Sequence, residues 1–155
     1  MSNKLSISAR KAVAVAAIAA GAVVVLPAAQ ASAGETGGNC DSGRYTANFW
    51  LNYHTSGSYD YPDYFRWELR VRNGGQLGNR SNVNAKVKSV NSGGTGDPVH
   101  YEWPSADNIG PGFETHFIPN SVKVARNKSM YASYQFIFDK PGGSDPSCTG
   151  RTDSV

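Results

Sequence analysis

The chain has 155 residues, with 15 Lys+Arg, 12 Asp+Glu, three Trp, eight Tyr and six Phe. That length excludes a large multidomain enzyme, and the aromatic content disfavours disorder. The formal charge of +3 comes from Lys4, Arg10 and Lys11, so residues 34–155 carry twelve basic and twelve acidic groups, which disfavours a strongly basic nucleic-acid binder.

The first 33 residues read as a secretory signal peptide. Lys4, Arg10 and Lys11 form the basic start, an apolar run extends from Ala12 to Ala29, and Ala31-Ser32-Ala33 supplies the small-x-small cleavage pattern. Cys40 follows Gly38-Asn39, with no aliphatic residue where a lipid-attachment box needs one. The expected mature chain, residues 34–155, is then a single secreted, extracellular domain with no membrane anchor after cleavage. The Ala/Val-rich leader resembles those of exported proteins from high-GC bacteria.

Residues 34–43 (GETGGNCDSG) read as a flexible lead-in. Period-two alternation then begins. Tyr45 to Tyr53 has apolar residues at the odd positions, and Phe65, Trp67, Leu69 and Val71 alternate with Arg66, Glu68, Arg70 and Arg72. Between them, Asn52 to Tyr64 reads as a tyrosine-rich loop. Val83, Ala85 and Val87 oppose Asn84, Lys86 and Lys88. Val99, Tyr101 and Trp103 mark a short strand that ends at Pro104. A turn at Ile109-Gly110-Pro111-Gly112 leads into Phe113-Glu114-Thr115-His116-Phe117. A short strand lies around Val122–Val124, and a long one carries Met130, Ala132, Tyr134, Phe136 and Phe138 on one face.

About seven short strands with Gly/Pro turns predict an all-β fold. The expected form is a small antiparallel β-sandwich, immunoglobulin-like or crystallin-like. Cys40 and Cys148 are the only cysteines, and in an exported chain they are expected to form one disulfide joining the terminal segments. Such a bond closes a loop of about 107 residues, worth roughly 4–5 kcal/mol in the chain-entropy model. The strand after Cys40 and the strand before Cys148 are therefore expected to be antiparallel neighbours.

Catalytic motifs are sparse. His54, His100 and His116 stand outside any H-E-x-x-H spacing, and there is no G-x-S-x-G elbow. A small hydrolase would have to combine Glu102 or Glu114 with His116. Asp60 and Asp63 are too few for a calcium site, so no metal and no cofactor are expected. Arg66, Arg70 and Arg72, with Lys86 and Lys88 on an adjoining strand, could form a basic strip. A solvated strand face accounts for it better, because Glu68 interrupts it.

The binding signals are aromatic. The mixture of Tyr59, Tyr61 and Tyr64 with Ser, Gly, Asn and Asp resembles antibody paratopes, in which Tyr gives large contact area at low entropic cost. Trp50 lies on the polar face of its strand. If the first and last strands pair, Trp50, Tyr131 and Ile137 form an outer apolar patch. The expected partner-binding set is thus Trp50, Tyr59, Tyr61, Tyr64 and Tyr131.

In size, leader and disulfide the general plan resembles small secreted bacterial β-sandwich proteins, including inhibitors, killer-toxin-like proteins and accessory subunits of secreted toxin assemblies. That resemblance carries over no residue. The expectation of a secreted non-enzymatic module that binds a protein partner rests on the Tyr-rich loop, the expected outer aromatic patch and the lack of a catalytic set. The alternative expectation is a carbohydrate-binding module for cell-wall or environmental polysaccharide, using the same rings as stacking platforms. Neither nucleic acid nor a membrane is an expected partner.

Overall fold

A computed structural model describes residues 31–155. The expected leader falls almost wholly outside the described residues. Nine strands follow in chain order: β1 (Ser32–Ser42), β2 (Tyr45–Ser56), β3 (Tyr59–Val71), β4 (Asn82–Ser89), β5 (Val99–Pro104), β6 (Gly112–Phe117), β7 (Val124–Ala125), β8 (Met130–Ile137) and β9 (Ser147–Arg151). They form two antiparallel sheets packed together. One has the order β1-β2-β3-β6, with β7 pairing β3 beyond β6; the other has the order β5-β4-β8-β9. The layers are those of a sandwich, but the order differs from the ABED/CFG order of immunoglobulin domains. Among the described residues no helix is long and apolar enough to cross a membrane.

The alternation read in the sequence builds the core. Phe49, Leu51, Phe65, Trp67, Val83, Val87, Met130, Phe136 and Phe138 are all buried between the sheets. Phe49 of β2 stacks on Tyr134 of β8 at 4.4 Å, and Tyr45 stacks on Phe138 at 5.4 Å. Alternating residues of opposed strands thus interdigitate across the layers, as sheet-on-sheet packing requires.

Cys40 and Cys148 are joined. The bond differs in placement from the expectation. Cys40 lies within β1 and Cys148 within β9, which are edge strands of opposite sheets, so the disulfide ties the layers face to face. The strands flanking the cysteines, β2 and β8, are not hydrogen-bonded neighbours. Backbone and side-chain bonds reinforce the same edge: Asp153 N–H donates to Gly37 O at 3.2 Å, and Thr36 Oγ1 donates to Asp153 O at 2.8 Å.

The lead-in is also a correction. Residues 34–42 are not a free segment but most of β1, paired with β2 along its whole length. Its glycines are there for close approach. A Cβ on Gly37 would come within 2.9 Å of the Trp50 ring, and one on Gly38 would collide with the Arg151 carbonyl. Glycine read as flexibility in the sequence is clearance in the fold.

Candidate functional site

The tyrosine-rich segment is a hairpin. β2 continues to Ser56, and β3 starts again at Tyr59 after a two-residue Gly57-Ser58 turn. Gly57 has φ 58°, the positive value that a II′ hairpin turn needs at its first central residue. A bulge interrupts the ladder, with Asn52 opposite Tyr64 and Tyr53 opposite Pro62, so Asp63 is the extra residue. Pro62, which has no N–H to give the ladder, sits at this irregularity. His54 Nδ1 lies 2.7 Å from Asp63 Oδ1, and the His54 ring stacks on Tyr61 at 5.0 Å.

The outer face of the β1-β2-β3-β6 sheet collects aromatic rings. Register places Gly37, Trp50, Arg66 and Thr115 in one row across the four strands. The next rows hold Asn48, Glu68 and Phe113 on one side, and Asn52, Tyr64 and Phe117 on the other. Trp50 and Phe113 stack at 6.1 Å, Tyr64 meets Phe117 edge-on at 5.7 Å, and Tyr59 meets Tyr61 edge-on at 6.4 Å. The result is a strip running from Phe113 towards the hairpin tip.

Strand β6 is inverted relative to the usual partition. Glu114 and His116 face the other sheet, whereas Phe113 and Phe117 face outward at 60% and 75% exposure. Burying a Phe side chain is worth roughly 1.5–3 kcal/mol, so leaving two outside forgoes a large term. The inward polar pair is accommodated locally. His116 Nε2 lies 2.8 Å from the Tyr101 hydroxyl, and its ring lies flat on Trp103 at 3.8 Å. Glu114 accepts the Gly110 N–H at 3.0 Å. Burial lowers the His116 pKa and raises that of Tyr101.

Charged groups frame the strip. The Arg66 guanidinium lies 4.7 Å from the centre of the Trp50 ring and pairs with Glu35 at 3.0 Å. Lys123 sits 4.4 Å over the Tyr59 ring. Two buried donors on this face, Asn52 Nδ2 and Arg66 Nε, have no partner within the described residues. At the hairpin tip, Tyr59 lines a shallow cleft with Arg126 and Asn127.

Four of the five expected binding residues therefore share one surface: Trp50, Tyr59, Tyr61 and Tyr64. Tyr131 does not. It lies on β8 in the other sheet and is only 4% exposed, with Lys88 and Arg151 over its ring at 5.9 Å and 5.5 Å and Asp97 at its hydroxyl. Its hydroxyl donates to Asp97 Oδ2. Burial, and then that bond, push its pKa up to about 12. The bond in turn holds the Asp97 carboxyl below its usual range. The proposed Trp50–Tyr131–Ile137 patch does not exist, since its premise of paired first and last strands fails.

Phe113 and Phe117 were missed by the sequence reading. Their i, i+4 spacing with Thr115 between them puts them on one face, and only the sheet packing shows that it is the outer one. Other candidate groupings are dispersed. Arg66, Arg70 and Arg72 pair with Glu35, Glu68 and Asp41, while Lys86 pairs with Glu102 on the other sheet's outer face. No joint basic strip forms. Glu102 pairs with Lys86 on the outer face of its sheet, away from His116, whereas Glu114 shares the inner face of β6 with His116 and accepts the Gly110 N–H. Asp60 accepts from Thr55 at 2.6 Å, apart from the Asp63–His54 pair.

Comparison of the chain with known protein families, with curated proteins and with solved structures found no match.

Proposed function

We propose that this chain is a secreted, non-enzymatic binding module whose outer β1-β2-β3-β6 face grips a protein partner, as an adaptor subunit or an inhibitor would. The observation that carries the reading is the inversion of β6. A strand that turns its acid and imidazole inward and its two phenylalanines outward departs from the burial rule, and such departures are expected where a surface serves binding. Trp, Tyr and Arg in the same strip are the residue types that dominate protein interfaces. The leader pattern and the disulfide support export.

The exposed phenylalanines favour a protein partner over a glycan. A sugar site uses an open ring face flanked by polar groups. Here the most exposed rings are two Phe without a polar handle, and the Arg66 guanidinium lies over the Trp50 ring. A partner's apolar side chains suit this surface better than a sugar ring.

The test uses the exported chain and its Phe113→Ser/Phe117→Ser variant as baits in culture supernatant, alongside sedimentation with insoluble polysaccharide. A protein retained by the wild type and lost by the variant is the expected result. Sedimentation with polysaccharide that the double variant abolishes would replace this reading with the carbohydrate-binding one.

A further inference from the structure

The two sides of the sandwich are finished differently. On one side, β1 and β9 are stapled by the Cys40–Cys148 bond and by the Thr36 and Asp153 hydrogen bonds. On the other, β6 ends its sheet with no strand paired to its outer edge among the described residues. Proteins usually blunt such an edge with lysine, with proline inside the strand or with a bulge. Strand β6 reads Gly112-Phe113-Glu114-Thr115-His116-Phe117 and has none of these. Its one charged residue, Glu114, points inward, a further blunting device against a foreign strand, and in self-pairing it would meet the imidazole of a second copy.

The edge groups can be assigned. Ile118 N–H donates to Asp63 O at 2.9 Å, so even-numbered residues of this segment direct their backbone groups at β3. Phe113, Thr115 and Phe117 therefore direct their N–H and C=O groups at the unpaired edge.

The sequence of β6 is complementary to itself. Antiparallel pairing about a two-fold axis at Thr115 sets Phe113 opposite Phe117 of a second copy, and Phe117 opposite its Phe113. On the inner face the same register sets Glu114 opposite His116, again twice. Aromatic pairs and acid–imidazole pairs directly across strands are favourable, whereas like charges opposite one another are not. Every edge-directed backbone group finds a partner in this one register, and residues 34–155 have balanced charge, so no net repulsion opposes association.

We propose that β6 is the self-pairing edge of a two-fold dimer, with two β1-β2-β3-β6 sheets joined into one continuous eight-stranded sheet. The interface is isologous, the commonest form of closed assembly. It uses the strand edge and leaves the outer face open, so two aromatic strips would lie side by side on one surface. The inference goes beyond the partner-binding reading: it uses the backbone edge of β6, whereas partner binding uses the outward side chains of the sheet.

Thr115 is exposed and lies directly opposite itself in this register. Sedimentation equilibrium of the exported chain, with the disulfide intact, should report a dimer, and Thr115→Ser should leave it dimeric. Thr115→Glu and Thr115→Lys should each be monomeric, since they oppose like charges at the axis. An equimolar mixture of the two should recover the dimer as a heterodimer. A monomeric wild type, or a mixture of the charged variants that stays monomeric, overturns the proposal. The dimer is read by sedimentation and the aromatic face by partner retention of the wild type, which needs no dimer, so a monomeric wild type that still retains its partner overturns the dimer and leaves the aromatic face standing.

Discussion

The imidazole of His116 on β6 lies flat on the indole of Trp103 on β5, with ring centroids 3.8 Å apart and planes 8° from parallel. With the Tyr101–His116 hydrogen bond, this contact joins the two sheets on the side opposite the disulfide. One margin of the sandwich is thus closed covalently and the other by a titratable stack.

The stack makes stability pH-dependent. Burial lowers the folded-state pKa of His116, so the unfolded chain takes up the proton first as pH falls. The contribution is fully present above the ordinary histidine pKa and is lost as pH drops below it towards the folded value. His100 is shifted in the same direction by burial. Thermal melts across pH 8 to 4 should show the midpoint falling through the acid side, with a shallower fall in His116→Phe, which keeps a flat ring and cannot charge. An identical pH profile for the two proteins would remove His116 from the account.

Reduction tests the covalent margin. The two cysteines are 108 residues apart in sequence. The chain-entropy model assigns such a crosslink roughly 4–5 kcal/mol, which corresponds to a loss of about 15 °C or more in Tm for a chain of this size. Melting with and without dithiothreitol, checked by Cys40→Ala/Cys148→Ala, measures it directly.

Core and outer-face phenylalanines should separate cleanly. Phe65 is fully buried against Phe49 at 5.4 Å, so Phe65→Ala should cost about 3–5 kcal/mol. Phe117→Ala, on a ring that is 75% exposed, should stay within about 0.5 kcal/mol of wild type. Urea unfolding of both variants gives the comparison.

Much of the architecture could be read from alternation alone. β3, β4 and β8 repeat apolar residues every second position, and each buries the face that the pattern names. β1 could not be read this way, because Gly34, Gly37 and Gly38 leave no side-chain pattern, and their role appears only when Tyr53, Trp50 and Arg151 are packed against them. The site was half legible. The tyrosines of the hairpin announced themselves by composition. Phe113 and Phe117 did not, because the alternation rule gives a large apolar residue to the core, and the contrary outcome depends on Trp103 and Tyr101 accepting His116 from the other sheet. Tyr131 misled for the complementary reason: it lies on an outward-facing position, and Lys88, Arg151 and the distant Asp97 close over it.

That cover is itself testable. The hydrogen bond from Tyr131 is the main reason that the Asp97 carboxyl titrates below its ordinary value. Tyr131→Phe should move the Asp97 pKa upward, followed by carbon-13 NMR of the side-chain carboxyl. An unmoved Asp97 would show that the loop does not close on Tyr131 in solution.

The most direct test of the proposed binding face is site-specific photocrosslinking. Phe117 is replaced by benzoylphenylalanine, and Val99, also exposed but on β5 of the other sheet, is replaced likewise as the control. Irradiation in culture supernatant should give, from position 117 and not from position 99, a discrete adduct to a protein other than a second copy of this chain. The same bands from both positions, or no such adduct from position 117, would contradict the account.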